Sequence, residues 1–359
     1  MKKITSLEYN TLIWFIIRAC FVELTITKVL ALTKQDSWIS ILIGIIIGLI
    51  PFSIFEYIKN KYPNYNYIIL NKKLFKYGNI INLIILIGCI ILSTCIFWIL
   101  VHFANSLFLY KTNPLIISIA FIIPICYAST KEMHIISKVS LIIFYISVIF
   151  NIMIMTGLTS EIDISNIKPL FENKSKIIET SLIFTALNIT KIFFLNIIPK
   201  NKVINHSSKI NYLTYFITTI NLLDIALSSV CIFGIDLATI YEYPAFQILK
   251  RVNILGIISK LESILAIEGI FSIFIVITII IYYAKAIIIQ TFKPKEKTNK
   301  YITISICSII LILNNIMFQT NEEANSFFIE PLIYIIYIIF VFLPLITLVK
   351  SLYHTENIK

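Results

Sequence analysis

The chain has 359 residues, of which 58% are hydrophobic and only 14% are charged. Soluble globular proteins carry about 25% charged residues because their surface faces water, so this composition argues against a soluble protein, even one with unusually apolar core helices. The net charge of +11 does not indicate nucleic-acid binding, because the basic residues lie in short segments between apolar blocks and form no basic patch.

The apolar residues form blocks of about 20, the length of helix that crosses the ~30 Å hydrocarbon core of a bilayer. Prolines lie in or beside the segments that separate these blocks. We predict an all-α integral membrane protein with a single polytopic membrane domain over residues 1–359. Its ten or so spanning helices are predicted at 9–32, 39–58, 80–105, 114–128, 135–157, 179–198, 210–235, 261–288, 301–319 and 331–351.

The first block follows a basic start at Met1–Lys3, as in a signal peptide. No small-residue cleavage site follows it, however, and Arg18 and Glu23 interrupt it. We therefore expect this block to be a retained spanning helix.

The distribution of Lys and Arg predicts the orientation of the helices. With the N-terminus inside, the cytoplasmic segments carry 18 of the 30 basic residues and the outer segments carry 9, while Arg18, Lys191 and Lys285 lie within spans. Cytoplasmic loops of membrane proteins are enriched in Lys and Arg. We therefore expect both termini to be cytoplasmic.

Charged residues also lie inside the predicted spans, where each costs about 2.5–3.5 kcal/mol and needs a partner or a wet cavity. Besides those of helices 1 and 6, they include Asp224 in helix 7 and Glu262 and Glu268 in helix 8. Asp224 and Glu268 lie deep in apolar stretches and belong either to a structural ion pair or to an ion or proton pathway. Glu56, Glu262 and Lys285 lie nearer to span ends and suit interfacial placement.

Helices 1 and 6 carry polar interruptions at equivalent positions if the chain consists of two five-helix halves. Inverted-repeat transporters have broken helices of this kind at the midplane, where freed backbone groups bind substrate and ions. We predict such a 5+5 transporter fold, in which Glu23 and Lys191 are candidates to pair with each other or with a zwitterionic ligand. The predicted ligand-binding residues are Ala19, Cys20, Phe21, Glu23, Thr185, Asn188 and Lys191.

Residues 241–260 lie in one of the two long gaps between spans, 236–260. Pro244 can open a short helix there, lying on the outer face near helix 8. This segment is either an ordinary surface helix or a functional lid.

The cysteines and histidines do not indicate a metal site or a cofactor. All six cysteines lie within apolar blocks without a C-x-x-C pair, and the four histidines form no H-E-x-x-H. No nucleophile–base constellation appears either, so we expect neither an enzyme nor a bound metal or cofactor.

Two separated motifs resemble those of the spore germination permease family. The first is Gln35-Asp36-Ser37-Trp38-Ile39-Ser40, followed by an apolar helix with Gly44 and Gly48 and then by Lys61-Tyr62-Pro63. The second is Tyr243-Pro244-Ala245-Phe246 with Lys260-Leu261-Glu262-Ser263. Asp36, Trp38, Pro63, Pro244 and Glu262 are the residues that carry the resemblance, which extends in length and helix plan over the whole chain.

The resemblance implies a member of the amino acid–polyamine–organocation superfamily that acts as the B-subunit of a spore nutrient germinant receptor. Such a subunit is expected in the spore inner membrane of a bacterium, beside an A-type subunit and a lipoprotein C-type subunit. It is expected to recognise a small nutrient, commonly an amino acid, and to trigger germination.

The chain departs from the family pattern in helix 1. The family pattern has glycines near positions 19 and 21 and a proline near 26, where this chain has Ala19, Phe21 and Ile26. Because glycine permits close approach of a ligand to the backbone, a different or bulkier ligand is an alternative to a free amino acid. An amino-acid or polyamine secondary transporter is the alternative function.

Overall fold

The fold is built from helices that follow the apolar blocks of the sequence. The computed structural model describes residues 2–158, 161–169, 171, 173–250, 261–318 and 320–353. Its α-helices are α1 (Ser6–Arg18), α2 (Ile26–Thr33), α3 (Ser37–Lys61), α4 (Tyr67–Leu74), α5 (Gly78–Leu107), α6 (Pro114–Thr130), α7 (Met133–Leu158), α8 (Lys174–Phe184), α9 (Ser208–Ile240), α10 (Pro244–Leu249), α11 (Leu261–Phe292), α12 (Asn299–Met317), α13 (Asn321–Ile329), α14 (Pro331–Tyr337) and α15 (Leu343–Tyr353).

Short non-α segments join some of these helices. Three π-helical turns lie at Phe21–Thr25, Thr185–Ile189 and Ile338–Phe342, and 3₁₀ segments lie at Lys34–Asp36, Ile164–Ile167, Thr190–Ile197, Lys200–Lys202 and Glu296–Thr298. Two strands of two residues each, β1 (Ile4–Thr5) and β2 (Val203–Ile204), pair in parallel.

Within the described residues, eight helical runs are long and apolar enough to cross a membrane. One of them, Ser6–Lys61, has 56 residues, which would measure about 84 Å as a single straight helix. Its backbone breaks near Cys20 and Lys34, so it has the length for the first two predicted spans. Helix α6, over the fourth predicted span, is shorter, with 17 residues.

Helical segments lie over each predicted range, and α4, α10 and α13 are short helices between them. The predicted all-α membrane fold is therefore confirmed. The number of ten crossings and the inverted repeat stay predictions.

The apolar side chains divide between a core and an outer surface. Residues on α5 and α11, among them Phe97, Ile277 and Ile280, are fully buried where the two helices pack together. On α7 and α12, by contrast, Ile142, Ile149 and Ile312 are more than half exposed. Because soluble proteins rarely expose contiguous apolar patches of this extent, these faces suit contact with lipid.

The segments predicted to be cytoplasmic contact one another at one end of the bundle. Strand β1 pairs with β2, and the Asn201 amide donates to the Pro63 carbonyl at 3.0 Å. The Lys61 ammonium donates to the Ser351 carbonyl. The N-terminus therefore lies at this end of the bundle, together with the segments around 62–66 and 199–207 and the last helix.

The segments predicted to be outside meet at the opposite end. The carboxylate of Asp36 accepts hydrogen bonds from the amides of Phe171 and Asn173, at 2.7 and 3.1 Å. Lys28 donates to the amide oxygen of Asn325 at 2.7 Å. The two groups of segments thus lie at separate ends, as the predicted orientation requires.

We expect single cysteines introduced at Lys76 and Glu322 to react with a membrane-impermeant maleimide from opposite sides of the membrane. Both side chains are exposed, and the excess of basic residues predicts Lys76 inside and Glu322 outside. Labelling of intact cells should modify only the variant with Glu322→Cys, and labelling of inverted vesicles only that with Lys76→Cys. The unsubstituted chain is the control, because five of its cysteines are buried. Labelling of both positions from one side would contradict the orientation.

Candidate functional site

The first helix is interrupted in the middle of its predicted span. Helix α1 ends at Arg18, Ala19 takes an extended ψ of 137°, and Cys20 lies in the left-handed region with φ 68°. For a residue other than glycine this conformation costs about 1–2 kcal/mol. The Cys20 carbonyl in turn accepts hydrogen bonds from the amides of Leu24 and Thr25, at 3.1 and 2.9 Å, which holds the π-turn that follows.

The sixth predicted span is interrupted at a similar depth. After α8 the chain forms the π-turn Thr185–Ile189 and then the 3₁₀ segment Thr190–Ile197. The hydroxyl of Thr185 donates to the Gly44 carbonyl of α3 at 2.9 Å. This bond anchors the interrupted segment to the second predicted span.

The two interruptions face each other, and side chains of the sixth span satisfy carbonyls freed in the first. The amide nitrogen of Asn188 donates to the Ile17 carbonyl at 2.9 Å, and the ammonium of Lys191 donates to the Ala19 carbonyl. The breaks are therefore closed by protein contacts. The role of these residues in ligand binding stays a prediction.

Lys191 does not form the suggested ion pair with Glu23. No carboxylate of the described residues lies within ion-pair distance of Lys191, whose ammonium is bound to the Ala19 carbonyl instead. The left-handed turn at Cys20 explains the difference, because it points the Ala19 carbonyl toward the sixth span.

Arg18 and Glu268 form a buried ion pair of 2.9 Å between α1 and α11. Arg18 also donates to the side-chain oxygen of Asn221 and lies over the Trp14 ring, 4.9 Å from its centroid. Glu268 also accepts a hydrogen bond from the hydroxyl of Ser147. Because both charges are paired and hydrogen-bonded, the desolvation cost of burying them is offset.

Asp224 lies half-buried in a second polar region beside this pair. Among the described residues no hydrogen bond or ion pair joins it to another side chain, and it shares a small cavity with Asn151, Asn221 and Ser228. Asn221 bonds Arg18, and Asn151 lies 3.3 Å from a Glu268 oxygen, so the cavity reaches the buried ion pair. Helix α10 covers it from the predicted outer end; residues 251–260 of the predicted lid lie outside the described part of the chain.

Glu23 is the predicted ligand-binding residue that lines a cavity. The cavity lies on the predicted outer side of the helix 1 break and has a volume of about 80 Å³, below the ~300–1,000 Å³ typical of small-molecule sites, so it has room only for a very small ligand or for one group of a larger one. The other predicted ligand-binding residues are buried in the contacts between the breaks. The polar and aromatic residues that line the cavity are Glu23, Thr27, Lys28, Trp98, His102, Glu242, Tyr243, Asn321 and Asn325.

Contacts between different helices form the rim of this cavity. His102 and Glu242 form a hydrogen bond of 2.7 Å, and His102 stacks on Trp98 with ring centroids 4.7 Å apart. The hydroxyl of Thr27 donates to the Glu242 carbonyl at 2.7 Å. The hydrogen bond from His102 holds the pKa of Glu242 below its ordinary value, so this carboxylate stays ionised at neutral pH.

The opposite, predicted cytoplasmic end of the same helices is closed. Lys59 donates to the hydroxyl of Tyr9 and to the Leu195 carbonyl, and its ammonium lies 4.3 Å from the Tyr9 ring centroid. Next to it, Glu56 accepts a hydrogen bond of 2.9 Å from Asn211. The helix 1 break is therefore reached by a cavity from the outer end and sealed by a polar cluster at the inner end.

The motif residues lie away from this cavity and hold segments between spans. Asp36 binds the amides of Phe171 and Asn173, Pro63 accepts from Asn201, and Pro244 begins α10. Trp38 lies in the first turn of α3, and Glu262 lies partly buried in the first turn of α11. None of these five residues lines the cavity at Glu23.

Sequence analysis missed Trp98, His102 and Tyr243 as cavity residues. The spacing of Trp98 and His102 is the available signal, because residues four apart share a face of a helix. The described residues contain no group of three or more His, Cys, Asp or Glu side chains that could hold a metal ion.

A family model for spore permeases, described as "Spore germination protein", matches residues 3–323. The matched range includes both interrupted spans, both motifs and, except for Asn325, the residues that line the cavity at Glu23. A comparison with curated proteins finds no match. The chain thus belongs to the spore germination permease family, and it is an integral membrane protein of that family.

Proposed function

We propose that this chain is the B-subunit of a nutrient germinant receptor, in which a transporter-type pocket recognises a small nutrient and triggers germination. The observation that carries the proposal is the cavity at Glu23, which reaches a helix break from the outer end in a protein of a germination permease family. A receptor must meet its nutrient from outside, and the seal formed by Tyr9 and Lys59 at the inner end suits a sensor better than an open pathway.

A receptor subunit must pass ligand binding to its neighbours. Such coupling requires different ligand affinities in two states, and about 1–3 kcal/mol of coupling is typical. The rim contacts around Glu242 connect α2, α5 and the segment before α10, so a ligand that disturbs them alters the outer surface of the bundle. A-type and lipoprotein C-type subunits are the partners that we propose, and the spore inner membrane is the proposed location.

The alternative function is secondary transport of an amino acid or polyamine. It is favoured by the half-buried Asp224, whose small cavity also contains Asn221 and Asn151, which contact Arg18 and Glu268 of the buried ion pair. Buried ionisable residues of this kind mark ion and proton pathways in many transporters. Under this alternative Asp224 and Glu268 take part in ion or proton coupling. An enzymatic function is not proposed.

We expect deletion of the gene to slow nutrient-triggered germination and to leave vegetative growth and bulk amino-acid uptake unchanged. Germination scored against a panel of nutrients is the measurement, and an agent that bypasses the receptors is the control, because it should act normally on the deletion spores. Robust solute uptake by the purified chain in liposomes, together with normal germination of the deletion strain, would favour the transporter.

A further inference from the structure

Glu23 is buried, and one oxygen of its carboxylate has no hydrogen-bond donor. Its side chain is 6% exposed, no cation of the described residues lies within ion-pair distance, and Oε2 has no hydrogen-bond donor. A buried carboxylate oxygen without a donor is costly. Two other buried acids, by comparison, have well-defined partners: Glu268 is paired with Arg18, and Asp36 accepts hydrogen bonds from two backbone amides.

The helix α11 makes room for this carboxylate. Gly269 lies against it so closely that a β-carbon at this position would overlap Glu23 Oε1. The carboxylate therefore fills the space that a side chain would occupy on α11, and it lies at the cavity wall.

The two cations nearest to the break are bound elsewhere. Arg18 is bound to Glu268 and Asn221, and Lys191 to the Ala19 carbonyl. Neither residue lines the cavity. The backbone carbonyls of Ile17 and Ala19, which could otherwise receive a ligand cation, are already occupied by Asn188 and Lys191.

From this arrangement we infer that the cavity binds its ligand through a primary ammonium group that donates hydrogen bonds to Glu23. An ammonium supplies both the positive charge and the donors that the carboxylate lacks, and charge-assisted hydrogen bonds of this kind are among the strong ones. The inference rests on the proposed function, because it names the chemistry of the ligand at that site.

Two sources of the ammonium group fit the cavity. Lys28 lies in the cavity wall and donates to Asn325, so it can also attract a carboxylate at the outer end of an amino acid. An amine without a carboxylate pairs with Glu23 and makes no such contact with Lys28. Helix 1 lacks the glycines at positions 19 and 21 that the family pattern has. This difference affects how closely the carboxylate of an amino-acid ligand can approach the backbone, and it does not affect the contact between the ligand ammonium and Glu23.

The test is binding to the purified full chain in lipid nanodiscs, followed by tryptophan fluorescence, since Trp98 lines the cavity, and by thermal stabilisation. The probes are L-alanine and ethanolamine, which carry an ammonium group, and lactate and ethylene glycol, in which a hydroxyl replaces it. We expect binding only of the first two. Equal affinity for alanine and ethanolamine assigns the ligand to amines in general, and a preference for alanine assigns it to amino acids.

The matched variants are Glu23→Gln and Glu56→Gln, both at buried carboxylates; Glu23 lines the cavity, whereas Glu56 lies in the polar cluster at the predicted inner end. Glu23→Gln should weaken binding by about 10- to 100-fold, as for loss of a hydrogen bond to a charged group, and Glu56→Gln should not. Binding of lactate as tight as that of alanine, binding of no ammonium probe, or full affinity in Glu23→Gln would overturn the inference. The comparison of alanine with lactate uses the unsubstituted chain and remains decisive if a variant fails to fold.

The two proposals can fail separately. Ammonium-dependent binding in a chain whose deletion does not alter germination would remove the receptor function and keep the ligand chemistry. If nutrient germination requires the gene but the Glu23→Gln variant binds the ammonium probes normally, the receptor function is kept and the proposed ligand chemistry is lost.

Discussion

Replacement of Arg18 by methionine should lower the free energy of unfolding by about 3–5 kcal/mol, the cost of breaking a buried ion pair from one side. The substitution removes the partner of Glu268 and leaves its carboxylate in the middle of the bundle. Asn221 loses its bond to the guanidinium as well. Thermal or denaturant unfolding of the purified chain in one detergent measures the loss.

A second variant separates the uncompensated charge from the lost packing. In the double variant Arg18→Met with Glu268→Gln no charge is left without its partner, and the glutamine oxygen can still accept the hydrogen bond from Ser147. We expect it to recover most of the lost stability. The control is Lys176→Met, because the Lys176–Glu179 pair is half exposed and a surface pair contributes about 0–1 kcal/mol. Equal losses for Arg18→Met and Lys176→Met would contradict the structural role of the buried pair.

Replacement of Gly269 by alanine should abolish binding of ammonium probes and leave stability nearly unchanged. The new methyl group takes the space of the Glu23 carboxylate and turns it into the cavity, where it occupies the volume needed by the ligand. Movement of a flexible side chain costs little, and alanine gains about 1 kcal/mol over glycine within a helix. Probe binding and thermal unfolding of the same preparation measure the two effects.

The matched control for this prediction is Gly88→Ala on α5. A β-carbon there would lie 2.8 Å from Ile339 Cδ1 and 3.1 Å from Phe340, also side-chain atoms, but away from Glu23. This variant tests crowding between helices alone, so we expect unchanged probe affinity. If both variants lose binding to the same extent, general crowding of the bundle explains the effect and the position of the Glu23 carboxylate does not.

Sequence reasoning identifies the helices and their interruptions because both have local causes. A block such as 80–105 must be long and apolar to cross the hydrocarbon core, and this property is visible in the residues themselves. The polar residues at Glu23 and Lys191 likewise mark the breaks within otherwise apolar spans. The position of a spanning helix and of its interruption can therefore be read from residues that lie close together in the sequence.

The partners of the buried charges could not be found in this way. Arg18 pairs with Glu268 on a different helix, and Lys191 is bound to a backbone carbonyl that the left-handed turn at Cys20 exposes. Such pairings depend on how the helices are rotated and shifted against each other, and one sequence does not specify this. The same limit explains why Trp98 was missed, since its place at the cavity follows from the packing of α5 against α2 and α13.

The long separation between Arg18 and its partners has a consequence for biosynthesis. Asn221 follows Arg18 by 203 residues, and Glu268 comes later still. At ~5–20 residues per second, the ribosome needs about 10–40 s to reach Asn221 after Arg18 has been made. Throughout this interval the first helix holds an unneutralised guanidinium, so it must wait in the protein channel of the translocon or beside an insertase until the eighth span arrives.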